Sequence, residues 1–263
     1  VARAAASKTS GAPKVTKPRF NARLWLRVVL WSGIFAGAAY GAKEVHSFLL
    51  SDPRFEFRNL ELRGAVYTSR ERLQGVFAPD AHLSVFHMPL AERRRHLLAI
   101  DWVRTATIER VWPNRIVVTI TERTPVAFAR LPMPGSQRHW LALIDEEGIL
   151  LSIPPKTRFS LPVLSGITEE QTDEDRRARV DSMQHLLADL GPQAKDISEV
   201  NAASAQDIRV IADVEGQGLE LWLGDQHFRS RYVNFLNHYG EIKSHSENAR
   251  IFDLRMDDRI STR

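Results

Sequence analysis

The chain of 263 residues contains no cysteine, so neither a disulfide framework nor a thiolate metal site is open to it. None of its seven lysines has serine three residues before it, which removes the Ser-x-x-Lys helix turn of penicillin-binding enzymes. Gly-x-Ser-x-Gly, His-Glu-x-x-His and a Walker loop are missing too. His82, His87 and His96 lack ligand spacing on any single element, so no metal is expected. Asp145-Glu146-Glu147-Gly148 sets carboxylates side by side, but adjacent strand residues face opposite ways and a glycine follows. That pattern favours a solvated turn over an acid–base pair. No cofactor, no small-molecule substrate and no catalysis are expected.

Charge of one sign is scarce where it would matter for a polyanion. The chain holds 36 Lys and Arg against 32 Asp and Glu, a net +4. Arg3, Lys8, Lys14, Lys17, Arg19, Arg23 and Arg27 all precede Val28, with no acidic residue among them. Removing those seven leaves 29 basic against 32 acidic side chains, about −3 for the remainder. A nucleic-acid surface is therefore not expected. The basic excess belongs to a tail, residues 1–23, whose Ala, Ser, Pro and Lys content reads as disordered.

A long uninterrupted hydrophobic run is also absent. The charge-free stretch from Val28 to Ala42 is 15 residues, a helix of roughly 22 Å against a hydrocarbon core of about 30 Å. Arg27 and Lys43 can snorkel, however, and Val45, Phe48, Leu49 and Leu50 resume the apolar pattern. Residues 24–50 therefore read as a single-pass transmembrane helix with Trp25, Trp31 and Tyr40 as interfacial anchors. The basic tail sets the N-terminus in the cytoplasm and the rest outside. A cleaved signal peptide competes, but the basic lead is long for one. Gly33, Gly37 and Gly41 recur every fourth residue, the small-residue spacing through which another membrane helix can approach; ordinary membrane-helix composition explains them equally well.

Beyond Leu50 the chain reads in two blocks. Phe55, Phe57, Leu60 and Leu62, stopped by Gly64, give a first strand. Thr68-Ser69-Arg70-Glu71 has the spacing of a helix start ahead of Leu73, Val76 and Phe77. Pro89 opens a second helix with Leu90, Leu97 and Leu98 inward and Arg93, Arg94 and Arg95 outward. A hairpin comes next: Val103 to Val111, a turn at Trp112-Pro113-Asn114, then Ile116, Val118 and Ile120 on one face and Val117, Thr119 and Thr121 on the other. Pro125 ends that unit.

From Val126 the strand patterns are Val126–Leu131, Trp140–Ile144, Ile149–Ile153, Ile197–Val200, Ile208–Val214 and Leu219–Leu223. One helix carries Val180, Met183, Leu186, Leu187 and Leu190 at core spacing; another carries Phe228, Tyr232, Phe235, Leu236 and Tyr239. A last strand runs from Arg250 to Asp257.

Arg110-x-Trp112-Pro113-Asn114-x-Ile116-x-Val118-x-Ile120-x-Glu122-Arg123-x-Pro125-Val126-Ala127 behind one membrane anchor resembles the cell-division FtsQ/DivIB family. Leu143 to Leu150, Leu161-Pro162-Val163-Leu164-Ser165-Gly166 and Asp253-Leu254-Arg255 extend the likeness over nearly the whole chain after the anchor. The resemblance implies an α+β protein: a polypeptide-transport-associated (POTRA) domain of order β-α-α-β-β at 54–125, then a mixed or antiparallel β-domain with two helices at 126–257, and a tail at 258–263. It makes the hairpin a scaffold edge near Val117 and Pro125 the joint to the next domain. It also implies a non-enzymatic divisome scaffold of the bacterial inner membrane, largely periplasmic and placed at the septum. The partners it implies are FtsB and FtsL-like bitopic coiled-coil proteins.

The candidate site is the last strand. Strands that close a sheet late in the chain often lie at an edge, where unpaired N–H and C=O groups accept a strand from another protein. Phe252, Leu254 and Met256 share the inward face, while Ile251, Asp253 and Arg255 point away, with Arg255 and Asp258 giving specificity. Met256 stands where the family has an aromatic, so parity makes it core and the resemblance makes it a partner anchor. Two other readings stay open: a POTRA-bearing assembly or translocation factor, although only 138 residues follow Pro125, and a peptidoglycan-active enzyme without a recognised motif.

Overall fold

The computed structural model describes residues 22–245, 248–256 and 259–262, with side chains from Trp25 onward. The tail expected at 1–23 and the candidate residue Asp258 therefore lie outside the described residues, apart from the backbone of 22 and 23. A 30-residue helix, α1 (Ala22–Ser51), covers the apolar run. Every side chain from Trp25 to Phe48 is exposed, with nothing within 4 Å of a Cβ placed on Gly33, Gly37 or Gly41, and the last turns of α1 meet the first unit. Among the described residues no helix is long and apolar enough to cross a membrane on hydropathy alone. Arg27, Lys43 and Glu44 dilute the run, and so do its glycines and Tyr40.

The first folded unit contains β1 (Asn59–Arg63), α2 (Arg70–Gly75), α3 (Leu90–Leu98), β2 (Val103–Val111) and β3 (Arg115–Glu122). Ser69 caps α2, its hydroxyl accepting the Arg72 N–H, because a short oxygen-bearing side chain can satisfy an orphan amide of the first turn. Ile116, Val118 and Ile120 pack on Leu73, Phe77, Val85, Met88 and Leu97, the face that the alternation gave. The sheet order is β1-β3-β2, parallel on one side of β3 and antiparallel on the other. The expected hairpin edge near Val117 is thus absent. β3 is the central strand, and Val117 sits between Glu61 and Glu109 at 3% exposure. The Trp112–Pro113 bond at the hairpin tip is cis.

Helix α3 departs from its expected faces. Leu98 is exposed, while Arg93 turns inward to donate to both carboxylate oxygens of Asp80, at 2.6 and 2.9 Å. A doubled guanidinium–carboxylate contact is the arrangement that makes burial of both charges tolerable.

The second unit is one nine-stranded mixed sheet with two helices on one face. Its strands are β4 (Pro125–Pro132), β5 (His139–Asp145), β6 (Leu150–Leu151), β7 (Val163–Ser165), β8 (Ile197–Asn201), β9 (Ile208–Val214), β10 (Gln217–Gly224), β11 (Ile251–Asp253) and β12 (Ser261–Thr262). The spatial order is β12-β11-β10-β9-β8-β7-β4-β5-β6. Val180, Met183, Leu186 and Leu190 of α4 (Asp173–Leu190) meet Phe228, Tyr232, Phe235 and Tyr239 of α5 (Phe228–His245) and sheet residues such as Leu131, Val200, Val210 and Leu221. Thr172 caps α4, where the acidic Asp173, Glu174 and Asp175 complement the helix dipole.

A third apolar cluster joins the units: Trp102 of the first packs on Leu143 and Leu151 of the second, with Phe128, Ile149, Phe159 and Leu161 around them. The Trp102 indole N–H donates to Ser152 O at 2.8 Å, and Asp101 accepts from the Ser152 N–H and hydroxyl at 2.9 and 2.6 Å. The 145–148 segment is a turn, but not the solvated one expected. Asp145 is 2% exposed, accepting the Glu147 and Ile149 N–H groups and one guanidinium N–H from Arg123 at 2.7 Å.

Candidate docking edge

The C-terminal rim of the large sheet is assembled from β10, β11 and β12. β11 pairs parallel with β10, placing Glu220, Leu221 and Trp222 beside Ile251, Phe252 and Asp253. Leu254 N–H donates to Trp222 O at 2.9 Å, so alternation turns the amides of Ile251 and Asp253 outward, while the Arg255 N–H donates to Asp253 Oδ1 at 3.3 Å. That outward side is not free. β12 pairs antiparallel with β11, Phe252 opposite Thr262 and Asp253 opposite Ser261. The open rim expected along 250–257 is therefore filled over its middle by the chain's own C-terminal segment, and the outermost strand is two residues long.

Side chains at the rim divide sharply. Phe252 and Leu254 are buried on α5, with the Phe252 ring 5.0 Å from Phe235. Met256 is 56% exposed, so the inward parity that would bury it fails. The reason is local: the strand stops at Asp253, and residues beyond it no longer alternate. Ile251, Asp253 and Arg255 are half-buried. The Arg255 guanidinium donates to both Asp253 oxygens at 2.8 and 2.5 Å and reaches Asp207 at 3.4 Å. The Asp253 contact holds its proton more firmly than in a free arginine.

Three residues that sequence reasoning passed over complete the arrangement. Trp222 lies under two guanidinium groups, Arg209 at 3.9 Å and Arg255 at 5.0 Å, while its indole N–H donates to Glu220 at 2.8 Å. Asp207 links the two arginines, at 2.5 Å from Arg209 and 3.4 Å from Arg255. Leu219–Leu223 read as a strand without Trp222 being singled out, because nothing in that segment shows that Arg209 and Arg255 meet over its ring.

Beside the rim, His227, Ser230, Arg231 and Asn234 of the α5 region face Leu254, Met256 and Ile260 across a cavity of about 290 Å³. It is large enough for one apolar side chain, and Met256 forms part of its wall. Among the described residues no cluster of three or more His, Cys, Asp or Glu could hold a metal ion.

Comparison with known proteins agrees with this architecture. The family described as "POTRA domain, FtsQ-type" matches residues 55–123, the stretch that carries β1 to β3. A curated "Cell division protein FtsQ" from Koribacter versatilis is 33% identical over 247 residues, covering 90% of this chain and 67% of its own length. The namesake proteins of Myxococcus fulvus and Novosphingobium aromaticivorans are 29% and 27% identical, covering 71% and 89% of this chain and 65% and 70% of their own lengths. The chain thus spans about two thirds of the length of these relatives. It belongs to the FtsQ family of cell division proteins.

Proposed function

We propose that this division protein acts by binding, as a non-catalytic scaffold that holds another division protein by strand addition at the C-terminal rim. The observation that supports the reading is the end of the large sheet, where, among the described residues, a two-residue strand lies on the outer side of β11. Short terminal strands leave backbone groups at the sheet margin, and a partner strand draws its affinity from those groups. Ile251 lies at the end of the β11–β12 pairing and Asp253 within it, opposite Ser261, while Arg255 and Asp258 follow along the chain. Met256 and the cavity beside it would take one apolar side chain of the partner. The partner chemistry that fits is a bitopic coiled-coil protein of the FtsB and FtsL kind, named by the family resemblance.

The scaffold would hang from α1 in the inner membrane, N-terminus inside, with Arg27 and Lys43 snorkelling to make up for a short apolar run. Through Gly33, Gly37 and Gly41 the partner's own membrane helix could approach closely. The test is capture by the full chain, in detergent or nanodiscs, of a single-pass coiled-coil division protein. Ile251→Pro removes an outward amide, and the expected loss is at least about tenfold in Kd, or roughly 1.4 kcal/mol. Undiminished capture by Ile251→Pro, with the fold checked by circular dichroism, would defeat the rim reading. Turnover of peptidoglycan by the same preparation would defeat the non-catalytic one.

A further inference from the structure

The exit of α1 from its apolar stretch is tied to the first unit by an unusual run of aromatic rings. Phe48 in the last turns of α1 meets Phe55 edge-on at 5.7 Å between centroids. Phe55 meets Phe86 at 5.3 Å and Trp112 at 6.1 Å, and Phe86 meets Trp112 at 5.0 Å. Phe55 and Phe86 pack on one side against the core of the first unit, but Trp112 is 64% exposed and Phe48 52%, and Leu83, three residues before Phe86, is 36% exposed. Trp112 occupies the tip of the β2–β3 hairpin, two ring contacts from α1.

The tip is held rigidly in that place. Arg110 donates to Val85 O at 2.6 Å and Met88 O at 2.9 Å, fastening the hairpin to the 84–88 loop. Asn114 O accepts the Arg58 and Asn59 N–H groups from the other side. The Ser84 hydroxyl donates to Leu49 O at 2.8 Å, which fastens the same loop to the end of α1. The rings therefore form one fixed surface continuous with α1.

We propose that this surface, Trp112 with Phe48, Phe55, Phe86 and Leu83, is seated in the phospholipid headgroup layer of the bilayer that α1 enters. The proposal rests on α1 being the membrane anchor. Tryptophan concentrates at that depth because its ring is apolar and its N–H needs a polar partner. The Phe48–Phe55 step of 5.7 Å fits within a headgroup layer of roughly 5–8 Å per leaflet, and the further 6.1 Å step to Trp112 keeps within it by running along the bilayer surface. Arg54, with its side chain 81% exposed, projects from the turn between α1 and β1 and can reach lipid phosphate. The occupant is lipid rather than protein because the rings sit where a chain leaving the bilayer must pass.

The absence of cysteine makes the test direct. The full chain is reconstituted in vesicles of phosphatidylcholine and phosphatidylglycerol with a single nitroxide at Trp31→Cys, Leu83→Cys, His87→Cys or Trp140→Cys. Collision with lipid-soluble oxygen is compared with collision with a water-soluble nickel chelate. Positions 83 and 87 should resemble position 31 more than the distant position 140, and Trp112→Ser added to Leu83→Cys should raise nickel accessibility several-fold. Lipid exposure at 31 with water exposure at both 83 and 87 overturns the inference, leaving the rings to a protein partner. Water exposure at 31 overturns the anchor reading itself. These vesicles contain no other protein, so lipid alone can shield the labels.

Discussion

At the residue scale, the decisive groups are those whose partners lie far away in sequence. Arg93 reads as a solvated member of an Arg93-Arg94-Arg95 face, yet it is buried against Asp80, 13 residues upstream. Periodicity could not find that pair because Asp80 belongs to a 3₁₀ turn with no periodicity of its own. Arg93→Ala leaves the Asp80 carboxylate buried without its counter-charge, and a loss of about 3–5 kcal/mol is expected in urea unfolding. Gly148 was legible as a turn residue but not as a contact. Its φ is +80°, and a Cβ there would lie 2.3 Å from Asp173 O and 2.5 Å from the Arg177 N. Gly148→Ala must therefore push back the first turn of α4; a lowered melting temperature with α4 amides exchanging earlier is the expected result.

At the scale of elements, long patterned strands were readable and short ones were not. β2, β3, β9 and β10 appear where alternation sets them, because each carries a buried face that must hold its register, β3 burying Val117 on its other face as well. β7 is three residues after Pro162, parallel to both neighbours, so no hairpin turn announces it. β12 is two residues, too short for any period. That missed strand alters the expectation for the rim. If β12 fills the place a partner strand would take, a chain ending at Arg259 should capture the partner more tightly than the full chain. If the partner adds beyond β12, the shortened chain should bind more weakly. Isothermal titration with the two lengths separates them.

At the scale of the whole molecule, the joint between the two units combines apolar and ionic parts. Trp102 is 2% exposed and fills the shared cluster, so Trp102→Ala is expected to cost about 3–5 kcal/mol and to loosen the joint before either core melts. Arg123 donates to Asp145 and Glu147 at 2.7 and 2.6 Å, and Arg104 donates to Glu147 at 2.8 Å. The Arg123 contact, then that of Arg104, holds the Glu147 carboxyl below the usual range. Burial works to raise Glu122, but hydrogen bonds from residues 66–68 outweigh it and lower it. Asp101 likewise is lowered: burial is outweighed by its bonds to Ser152 and the charge of Arg72. Carboxylates with depressed folded-state values stabilise fully above their unfolded values, and that stabilisation is lost as pH falls through the folded ones. Acid titration should therefore loosen the joint below about pH 4, seen as a red shift of Trp102 fluorescence that Glu122→Gln moves toward neutral pH. The sequence showed Glu122-Arg123 and Asp145 to Gly148 only as separate motifs, because nothing in either segment encodes the distance between them.

The ion-paired joint also has a mechanical side. With Trp102, Asp101 and Arg123 all engaged across it, the large sheet cannot swing freely about Pro125, and its last strands stay at one elevation relative to α1. Under the proposed function, in which α1 anchors the chain and the partner is a coiled-coil protein of the same bilayer, that partner would have to be cut to a matching length. Inserting two helical turns into its stalk should abolish engagement, even with the binding segment itself left untouched.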